Sequence, residues 1–342
     1  MTLDETVGRC LVDHELYQLL EQGNISLPSG SVSPSQVQPA SFEPVIGNEV
    51  FILDTEGQGI FRPNTRETIY KTLLQIERRR RIRKDIAEGF ELKRGYTYLL
   101  PLQERLTLRK NEFVVASPKS SIGRIFLHAR LMADYHARFD YVDGRQSRAD
   151  PLQLWLLVQP LAFNVIVHPG IPLNQLRFFR GRGALLRPDE LAYEALHHPL
   201  LYSKDHQPLD PDIQDDGLAI SIDLQGLSSG GIVGLRARHH PEPLDLSNKT
   251  LYDAEMFFEP LRASQGKIIL HPHEYYLFAS REVLKIPSNR NVELSSHSDA
   301  AFQGSLHFAG FADNGFQGDL VLEVRSDEPS PMALEDGMPI SV

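Results

Sequence analysis

A long internal repeat of β-rich sequence restricts this chain to few architectures. The stretch Tyr98–Leu108 (YLLPLQERLTL) resembles Tyr276–Ile286 (YLFASREVLKI). Two shorter pairs follow in the same order and with similar spacing: Leu154–Val158 with Leu320–Val324, and His168–Gly170 with Glu335–Gly337. The distance along the chain between the paired stretches indicates duplication of a whole domain, since stacked repeats have much shorter periods of about 20–50 residues.

The fold class follows from the runs between Glu91 and Arg180 and those after Leu218, which are short, β-rich and broken by Pro, Gly, Asn and Asp. This pattern is typical of an all-β sandwich or barrel. The spacing of apolar residues predicts a helix over 9–22, capped by Asp13, and a second helix over 64–87. One or two helical turns are predicted near 188–196. We therefore expect an all-β fold with a few short helices.

Length and composition fit two globular domains. The chain has 342 residues, of which 41% are hydrophobic and 23% charged, and this composition excludes a disordered chain. Residues 181–216 are rich in Pro, Asp and His and show no strand pattern. We predict a first domain over 1–183, a connector over 184–216 and a second domain over 217–342.

Cysteine count and charge exclude several classes of function. Cys10 is the only cysteine, which excludes a disulfide scaffold and a cysteine-ligated metal site. The net charge of −10 argues against a general nucleic-acid binder. No apolar run approaches about 18 residues, and the first residues lack the pattern of a signal peptide. We expect a soluble cytoplasmic protein that binds neither nucleic acid nor a membrane.

A basic run lies inside the second predicted helix, at Arg78–Arg81 with Arg83 and Lys84. One interpretation is a solvated helix face. The other is a positive patch near a polyphosphate. The sequence leaves both interpretations open.

Three motifs carry a family resemblance. Lys119–Arg124 (KSSIGR) follows a strand-like run, Asp313–Val324 (DNGFQGDLVLEV) joins an aspartate and a glycine turn to a strand, and Gln38–Ser41 (QPAS) precedes Gly47. They resemble the Ser-Ser-x-x-Arg motif, the Gly-aromatic-x-Gly turn with its catalytic strand, and the early Gln-Pro-Ala-Ser strand of dCTP deaminases in the dUTPase-like superfamily. The resemblance covers nearly the whole chain and is greatest to the double-length bacterial form. It implies two tandem, distorted β-barrel domains.

The two halves keep different parts of these motifs. The first half has the complete Ser-Ser-x-x-Arg motif at 120–124, but Leu157 stands where the family has its glutamate. The second half has Glu323, whereas Ala300 stands in place of the arginine. Single-length relatives build each active site from two subunits, so the resemblance implies one composite site that joins 120–124 to Glu323. A second pocket, with Leu157 and Ala300, is expected to be inactive.

The activity implied by the resemblance is hydrolytic deamination of dCTP to dUTP and ammonia. Loss of the C4 amino group requires proton transfer from water and to the base, and one well-placed carboxylate can perform both. Glu323 is the predicted general acid/base, since an unpaired carboxylate is costly to bury in an apolar strand. An inert buried ion pair with Arg325 or another basic residue is the alternative. Arg124 is predicted to orient this carboxylate or the water. Ser120 completes the predicted catalytic set.

The predicted substrate-binding residues are Lys119, Ser120, Ser121, Ile122, Gly123, Arg124, Asp313, Val321 and Leu322. Lys119, the serine hydroxyls and the backbone N–H groups near Gly123 suit the oxygens of a triphosphate. The family resemblance implies that Asp313 accepts the sugar 3′-hydroxyl. It also implies that the main chain of Val321 and Leu322 contacts the edge of the base.

Several alternatives stay open. Zinc deaminases use His-x-Glu with Pro-Cys-x-x-Cys, which a single cysteine cannot supply, and we interpret His271–Glu274 as a turn between strands. No metal ligands are predicted in the chain, and Mg²⁺ is expected to enter bound to the nucleotide triphosphate. A dUTP diphosphatase, a bifunctional deaminase/diphosphatase and a catalytically silent nucleotide-binding regulator are the competing functions. The expected partners are dCTP and dUTP, and the superfamily's oligomers imply a homo-oligomer.

Overall fold

The computed structural model describes residues 8–53, 65–77, 82–147, 151–215, 217–226, 229–239, 242–248, 252–297, 310–325 and 329–342. The chain divides into two compact units. The first contains Met1–Ile122, Leu127–Leu185 and Glu242–Thr250, and the second contains Gly123–Phe126, Leu186–Pro241 and Leu251–Val342. Each unit therefore includes a short segment from the other half of the sequence.

The described residues are mainly β, with few helices. The helices are α1 (Asp13–Glu21), α2 (Ile69–Glu77), α3 (Ser120–Gly123), α4 (Pro188–His197) and α5 (Ala254–Phe257). The strands up to residue 180 are β1 (Arg9–Cys10), β2 (Ile25–Ser26), β3 (Glu49–Leu53), β4 (Arg83–Asp85), β5 (Phe90–Leu92), β6 (Thr97–Leu106), β7 (Glu112–Pro118), β8 (Leu127–Ala133), β9 (Tyr141–Asp143), β10 (Leu152–Pro160), β11 (Val165–Val167) and β12 (Asn174–Arg180).

The strands after residue 180 are shorter on average. They are β13 (Leu201–Tyr202), β14 (Ile213–Gln214), β15 (Gly217–Leu218), β16 (Ile220–Ser221), β17 (Gly234–Ala237), β18 (Leu244–Asp245), β19 (Phe258–Leu261), β20 (Lys267–Leu270), β21 (Tyr275–Lys285), β22 (Val292–Glu293), β23 (Phe311–Ala312), β24 (Gln317–Arg325), β25 (Met332–Glu335) and β26 (Pro339–Ser341).

The first unit is built on two larger sheets. One has the strand order β4-β3-β6-β10-β8, with β2 also paired to β6, and the other has the order β1-β12-β7-β9. A third sheet, β18-β11-β5, includes β18, which joins β11 in parallel. In β18, the Asp245 Oδ1 lies 3.2 Å from the His168 Nε2.

The second unit is built around β21. The strand order is β13-β21-β17-β19, and β24 pairs with β21. Two-stranded pairs complete the unit: β14-β15, β16-β26, β20-β25 and β22-β23. One apolar cluster forms its core and includes Tyr276, Phe278, Leu322 and Val324.

The two units repeat one arrangement around their longest strands. β6 pairs with β3 and β10, and β21 pairs with β17 and β24. Leu157 of β10 pairs with Leu99 of β6, and Glu323 of β24 pairs with Leu277 of β21. The two central leucines occupy matching places in the repeated stretches YLLPLQERLTL and YLFASREVLKI. Leu157 and Glu323 therefore occupy equivalent positions in their sheets.

A side-chain hydrogen bond recurs at the start of these strands. The Tyr98 hydroxyl accepts a hydrogen bond from the Lys93 backbone N–H at 2.8 Å. The Tyr276 hydroxyl accepts one from the His271 backbone N–H, also at 2.8 Å. Each tyrosine thus fixes the turn that precedes its own strand.

Each unit also contains a helix followed by a short strand. Helix α1 ends at Glu21 before β2 begins at Ile25, and α4 ends at His197 before β13 begins at Leu201. The helical turns predicted near 188–196 are confirmed by α4. This helix and β13 lie in the stretch predicted to be a connector, where strands of two residues leave little alternation to detect.

The first predicted helix is shorter than expected. Arg9 and Cys10 form β1 and pair with β12, so the helix begins only at Asp13. The predicted cap is wrong because Val12, in an extended conformation, is the residue before the helix. The chain must leave β1 in this extended geometry, which places Asp13 inside the first turn.

The second predicted helix is also too long. α2 covers Ile69–Glu77, and Arg83–Asp85 instead form β4, which pairs with β3. Strand pairing with Glu49–Phe51 overrides the helical spacing there. The predicted start of this helix at residue 64 and the basic residues 78–81 lie outside the described residues, so both interpretations of the basic run stay predictions.

Among the described helices, none combines the length and apolar character needed to cross a membrane.

Candidate active site

The Ser-Ser-x-x-Arg motif begins in a single helical turn, α3, which follows β7. The Ile122 backbone N–H donates to the Lys119 carbonyl at 2.8 Å and closes this turn. Ile122 is buried and anchors the turn, whereas Ser120 and Ser121 are exposed. Both hydroxyls are therefore available to a ligand from solvent.

Lys119, predicted to bind a triphosphate, has a carboxylate partner. Its ammonium group forms an ion pair with Glu43, and both side chains are partly buried. Its backbone N–H donates to the Leu173 carbonyl at 3.2 Å. The positive charge of Lys119 is thus matched by an acidic residue that lies shortly after the early QPAS motif ends at Ser41.

The end of the motif is grouped with the second unit. Gly123–Phe126 belongs to that unit by its contacts, and so does Glu323. The Phe126 backbone N–H donates to the Gly123 carbonyl at 2.8 Å, and Arg124 is exposed between them. The structure therefore brings Arg124 and Glu323 into one compact unit, whereas Ser120–Ile122 belong to the other.

Glu323 lies on β24 and is only 2% exposed. Its strand neighbours Leu322 and Val324 belong to the core cluster of the second unit. Successive side chains of a strand point to opposite faces, so Glu323 points away from that core. Glu323 is thus a buried carboxylate on the face of β24 opposite the core.

Two further residues share the face of Glu323. Arg325 pairs in register with Tyr275 of β21, two residues along from the pair of Glu323 with Leu277. The Arg325 guanidinium carbon lies 5.4 Å from the centre of the Tyr275 ring, within cation–π distance. Tyr275 is not among the residues predicted from the sequence, because its position opposite Arg325 is set by the strand register. The alternation of Glu323 and Arg325 was visible in the sequence.

The Asp313 motif forms the predicted turn before β24. The Phe316 backbone N–H donates to the Asp313 carbonyl at 3.1 Å. Gly315 has a φ of 77°, in the left-handed region that glycine adopts readily. The Asp313 side chain is half-buried at the mouth of this turn. Val321 and Leu322 follow on the strand, paired with Ala279 and Phe278.

The second half has a different environment at its counterpart of the serine motif. Ser296 forms a β-bridge with Ser341. His297 is buried, and its Nε2 lies 2.8 Å from the Gln214 Oε1. Ala300 and Ser298 lie outside the described residues, so the expected inactive pocket stays a prediction.

The face around Leu157 is filled by apolar side chains. Leu157 belongs to a cluster with Phe51, Leu99, Trp155 and the α2 residues Ile69 and Leu73, among others. This is the face equivalent to that of Glu323 in the second unit. In the first unit, α2 therefore covers the position that Glu323 occupies in the second.

Polar and aromatic contacts fix α2 in this place. The Ile69 backbone N–H donates to Asp134 Oδ1 at 2.9 Å, so Asp134 accepts from the first turn of the helix. Burial raises the pKa of Asp134 above its usual value, although this hydrogen bond opposes the shift. The Tyr70 ring stacks against Trp155 with 6.4 Å between ring centres.

The predicted turn at His271–Glu274 is confirmed, since it joins β20 to β21. The Glu274 backbone N–H donates to the His271 carbonyl at 3.3 Å. The Glu274 side chain accepts from His239 at 2.8 Å. Across the described part of the chain, no group of three or more His, Cys, Asp or Glu side chains could hold a metal ion.

Family models match nearly the entire chain. The "2'-deoxycytidine 5'-triphosphate deaminase (DCD) N-terminal domain" matches residues 8–182. The "2'-deoxycytidine 5'-triphosphate deaminase (DCD), C-terminal domain" matches residues 189–342. A crystal structure of 2'-deoxycytidine 5'-triphosphate deaminase from Agrobacterium tumefaciens superposes with a TM-score of 0.85 at 29% identity, covering 98% of this chain and 94% of that one.

Curated relatives match shorter stretches. A "dCTP deaminase, dUMP-forming" from Methanothermobacter thermautotrophicus is 30% identical over 84 residues, which are 24% of this chain and 43% of the relative. A protein of the same description from Corynebacterium jeikeium is 39% identical over 74 residues, 21% of this chain and 39% of the relative. A "dCTP deaminase" from Haloarcula marismortui is 28% identical over 138 residues, 40% of this chain and 68% of the relative. The match thus spans less than half of each of the two dUMP-forming relatives.

Proposed function

This chain belongs to the dCTP deaminase family, and we propose that it hydrolyses the C4 amino group of dCTP to give dUTP and ammonia. The observation that carries the proposal is Glu323, a buried carboxylate that points away from the core of a unit matching the family's C-terminal domain. The equivalent position of the first unit is Leu157, which cannot transfer protons.

Glu323 is the proposed general acid/base. Its carboxylate takes a proton from the water that attacks C4 and passes this proton to N3. It then takes the second proton from the C4 hydroxyl as the carbonyl forms, and gives it to the amino group, which leaves as ammonia. Arg124 is a permanent cation that orients the carboxylate or the water. Ser120, with its exposed hydroxyl, completes the catalytic set.

The remaining predicted residues are proposed to bind the nucleotide. Ser121 and the backbone around Ile122 and Gly123 contact the triphosphate, which brings its own Mg²⁺ as part of the substrate. Asp313 accepts the sugar 3′-hydroxyl, and the main chain of Val321 and Leu322 contacts the base.

Lys119 is proposed to contribute to triphosphate binding from within its ion pair. Glu43 holds the ammonium group at the start of the α3 turn, where Ser120 and Ser121 are exposed. A cation fixed in this way loses less side-chain entropy when the phosphate binds.

We also propose the finer architecture implied by the resemblance. The two units are distorted β-barrels of the dUTPase-like kind, derived by duplication, and the chains assemble into a homo-oligomer. The recurrent strand register and tyrosine hydrogen bonds support the duplication.

The second candidate is a bifunctional enzyme that also releases pyrophosphate. The observation in its favour is that the curated relatives from Methanothermobacter and Corynebacterium are described as dUMP-forming. Such an enzyme performs the same deamination step, so Glu323 would be the general acid/base in either enzyme.

The test is to incubate the purified chain separately with Mg·dCTP and with Mg·dUTP, and to measure ammonia, dUTP, dUMP and pyrophosphate. From dCTP we expect ammonia and dUTP as the products. We expect Glu323→Gln to lower turnover by at least about 10²-fold while dCTP still binds, because the amide keeps the shape but cannot exchange protons. Asp319→Asn, which removes an exposed carboxylate from the same strand, is the matched control and should leave turnover unchanged.

The products separate the alternatives. Ammonia with equimolar pyrophosphate and dUMP indicates the bifunctional enzyme, and pyrophosphate from dUTP without ammonia indicates a diphosphatase. Saturable dCTP binding without turnover indicates a silent regulator. A chain that binds no nucleotide contradicts the proposed function.

A further inference from the structure

An unusual backbone conformation closely follows the arginine of the serine motif. Phe126 has a φ of 54°, in the left-handed region that a bulky residue rarely adopts. Its side chain is completely buried. Such a conformation persists only where the surroundings enforce it, and it is concentrated at functional sites.

The Phe126 ring contacts Tyr275. The two ring centres are 5.1 Å apart and the rings are inclined at 49°, within the range of favourable aromatic pairs. Tyr275 is itself only 6% exposed. Both residues belong to the second unit, so this contact lies within one compact body.

Tyr275 also contacts the strand that bears Glu323. The Arg325 guanidinium carbon is 5.4 Å from the centre of its ring, and the two residues pair in register. Tyr275 and Leu277 alternate on one face of β21, opposite Arg325 and Glu323 on β24. The ring therefore lies between the segment that carries Arg124 and the face that carries Glu323.

The first unit lacks this device at the equivalent positions. Its central strands place Thr97 where the second unit has Tyr275, and Gln159 where the second unit has Arg325. There the Gln159 side-chain amide donates to the Thr97 hydroxyl at 2.7 Å. The contact between an aromatic ring and a cation at this place is thus confined to the unit that keeps the glutamate.

We propose that Tyr275 is a positioning residue for the deamination, a role that rests on the proposed function. The Tyr275 ring holds Phe126 in the left-handed conformation. This fixes the backbone next to Arg124, and so the direction in which the Arg124 side chain projects. The same ring holds Arg325 beside Glu323. Displacement of one catalytic group by about 1 Å can reduce turnover by about 10²-fold, so loss of the ring should act on kcat.

The test compares Tyr275→Leu with Tyr275→Phe in the full chain. We expect Tyr275→Phe, which keeps the ring, to retain kcat within about twofold, and Tyr275→Leu to lose about tenfold or more in kcat with little change in KM. Phe126→Leu removes the contact from the other side and should produce the same loss. The Phe126→Leu variant also tests the inference if the Tyr275→Leu variant does not fold.

Phe179→Leu is the control for a purely structural effect. Phe179 is also 6% exposed and stacks on Phe113 in the first unit, with 4.9 Å between ring centres. It should lower the melting temperature without a change in kcat per folded chain. A Tyr275→Leu variant with unchanged kcat, or one whose kcat falls only as its folded fraction falls, overturns the inference. An unmodified chain that releases no ammonia contradicts the proposed function itself.

Discussion

At the scale of single residues, burial alone does not distinguish a catalytic glutamate from a structural one. Glu104 and Glu282 are 1% and 8% exposed, and Glu323 is 2% exposed. The Glu104 Oε2 accepts from the Val45 backbone N–H at 2.9 Å, and the Glu282 Oε2 accepts from the Ser221 backbone N–H at 2.8 Å. These two carboxylates occupy matching places in the repeated stretches, and both satisfy backbone donors. Glu323 is the candidate for the catalytic glutamate because it lies on the face of β24 opposite the core of the second unit.

His128 gives a prediction for the effect of pH on stability. Burial, and secondly the charge of Arg130, lower the pKa of His128 from 6.5 to about 4, while Gln159 opposes the shift. A histidine whose pKa is lower in the folded state binds fewer protons there. Protonation of the unfolded chain at His128 therefore lowers the free energy of unfolding as the pH falls from 6.5 towards 4, and has almost no effect well above pH 6.5. At pH 5 the expected loss is about 2 kcal/mol relative to pH 8.

The measurement is the free energy of unfolding in urea at pH 8 and pH 5, for the unmodified chain and for His128→Gln. The variant cannot be protonated, so its loss between the two pH values should be smaller by about 2 kcal/mol. Equal losses in the two proteins would show that His128 does not titrate in this window.

At the scale of elements, the two units differ in the helix that covers the face of Leu157 and its counterpart Glu323. α2 covers the Leu157 face with Ile69 and Leu73, and Asp134 accepts from its first turn. The equivalent loop of the second unit contains α5, a single turn at Ala254–Phe257. A full helix on this face buries apolar surface where a nucleotide would otherwise require polar groups.

Leu157→Glu tests this interpretation of α2. The change places a carboxylate in an apolar cluster, and we expect a destabilisation of about 3 kcal/mol or more with no gain in dCTP turnover. Leu157→Met, which conserves volume, should cost less than about 1.5 kcal/mol. Thermal melting and ammonia release give both quantities. A rise in turnover would show that the first unit can still house the reaction.

At the scale of the whole molecule, the two units share the register of their central strands but differ in the side chains at equivalent positions. The central strand pairs have the same register in both units. Glu323 is found in one unit only, and the apolar cluster under α2 is found at the equivalent face of the other. A chain of this kind should bind one nucleotide, although it contains two related domains.

Titration calorimetry with Mg·dCTP tests this stoichiometry. The Glu323→Gln variant is the suitable protein, since it should bind the nucleotide without consuming it. We expect one dCTP per chain. A value near two would show that the apolar face beside Leu157 still admits a nucleotide.

Much of this protein could be predicted from local sequence. The mainly β character and the helix near residues 188–196 depend on periodicities of a few residues, and the structure agrees with them. The repeat was visible as similar stretches in the same order, and the strand registers of the two units agree with it. The errors in the bounds of the other two helices arose where strands paired over a distance. Arg9–Cys10 pair with β12, and Arg83–Asp85 pair with β3. Local spacing cannot reveal a partner that lies so far along the chain.

The sequence by itself determined the order of the motifs and the exchange of a glutamate for Leu157, because these are properties of single positions. Only the tertiary structure decided what surrounds them. Phe126 contacts Tyr275, and Lys119 pairs with Glu43, although both pairs are widely separated in the chain. Such contacts depend on strand register and on which face each side chain takes, and no local pattern encodes either over that distance.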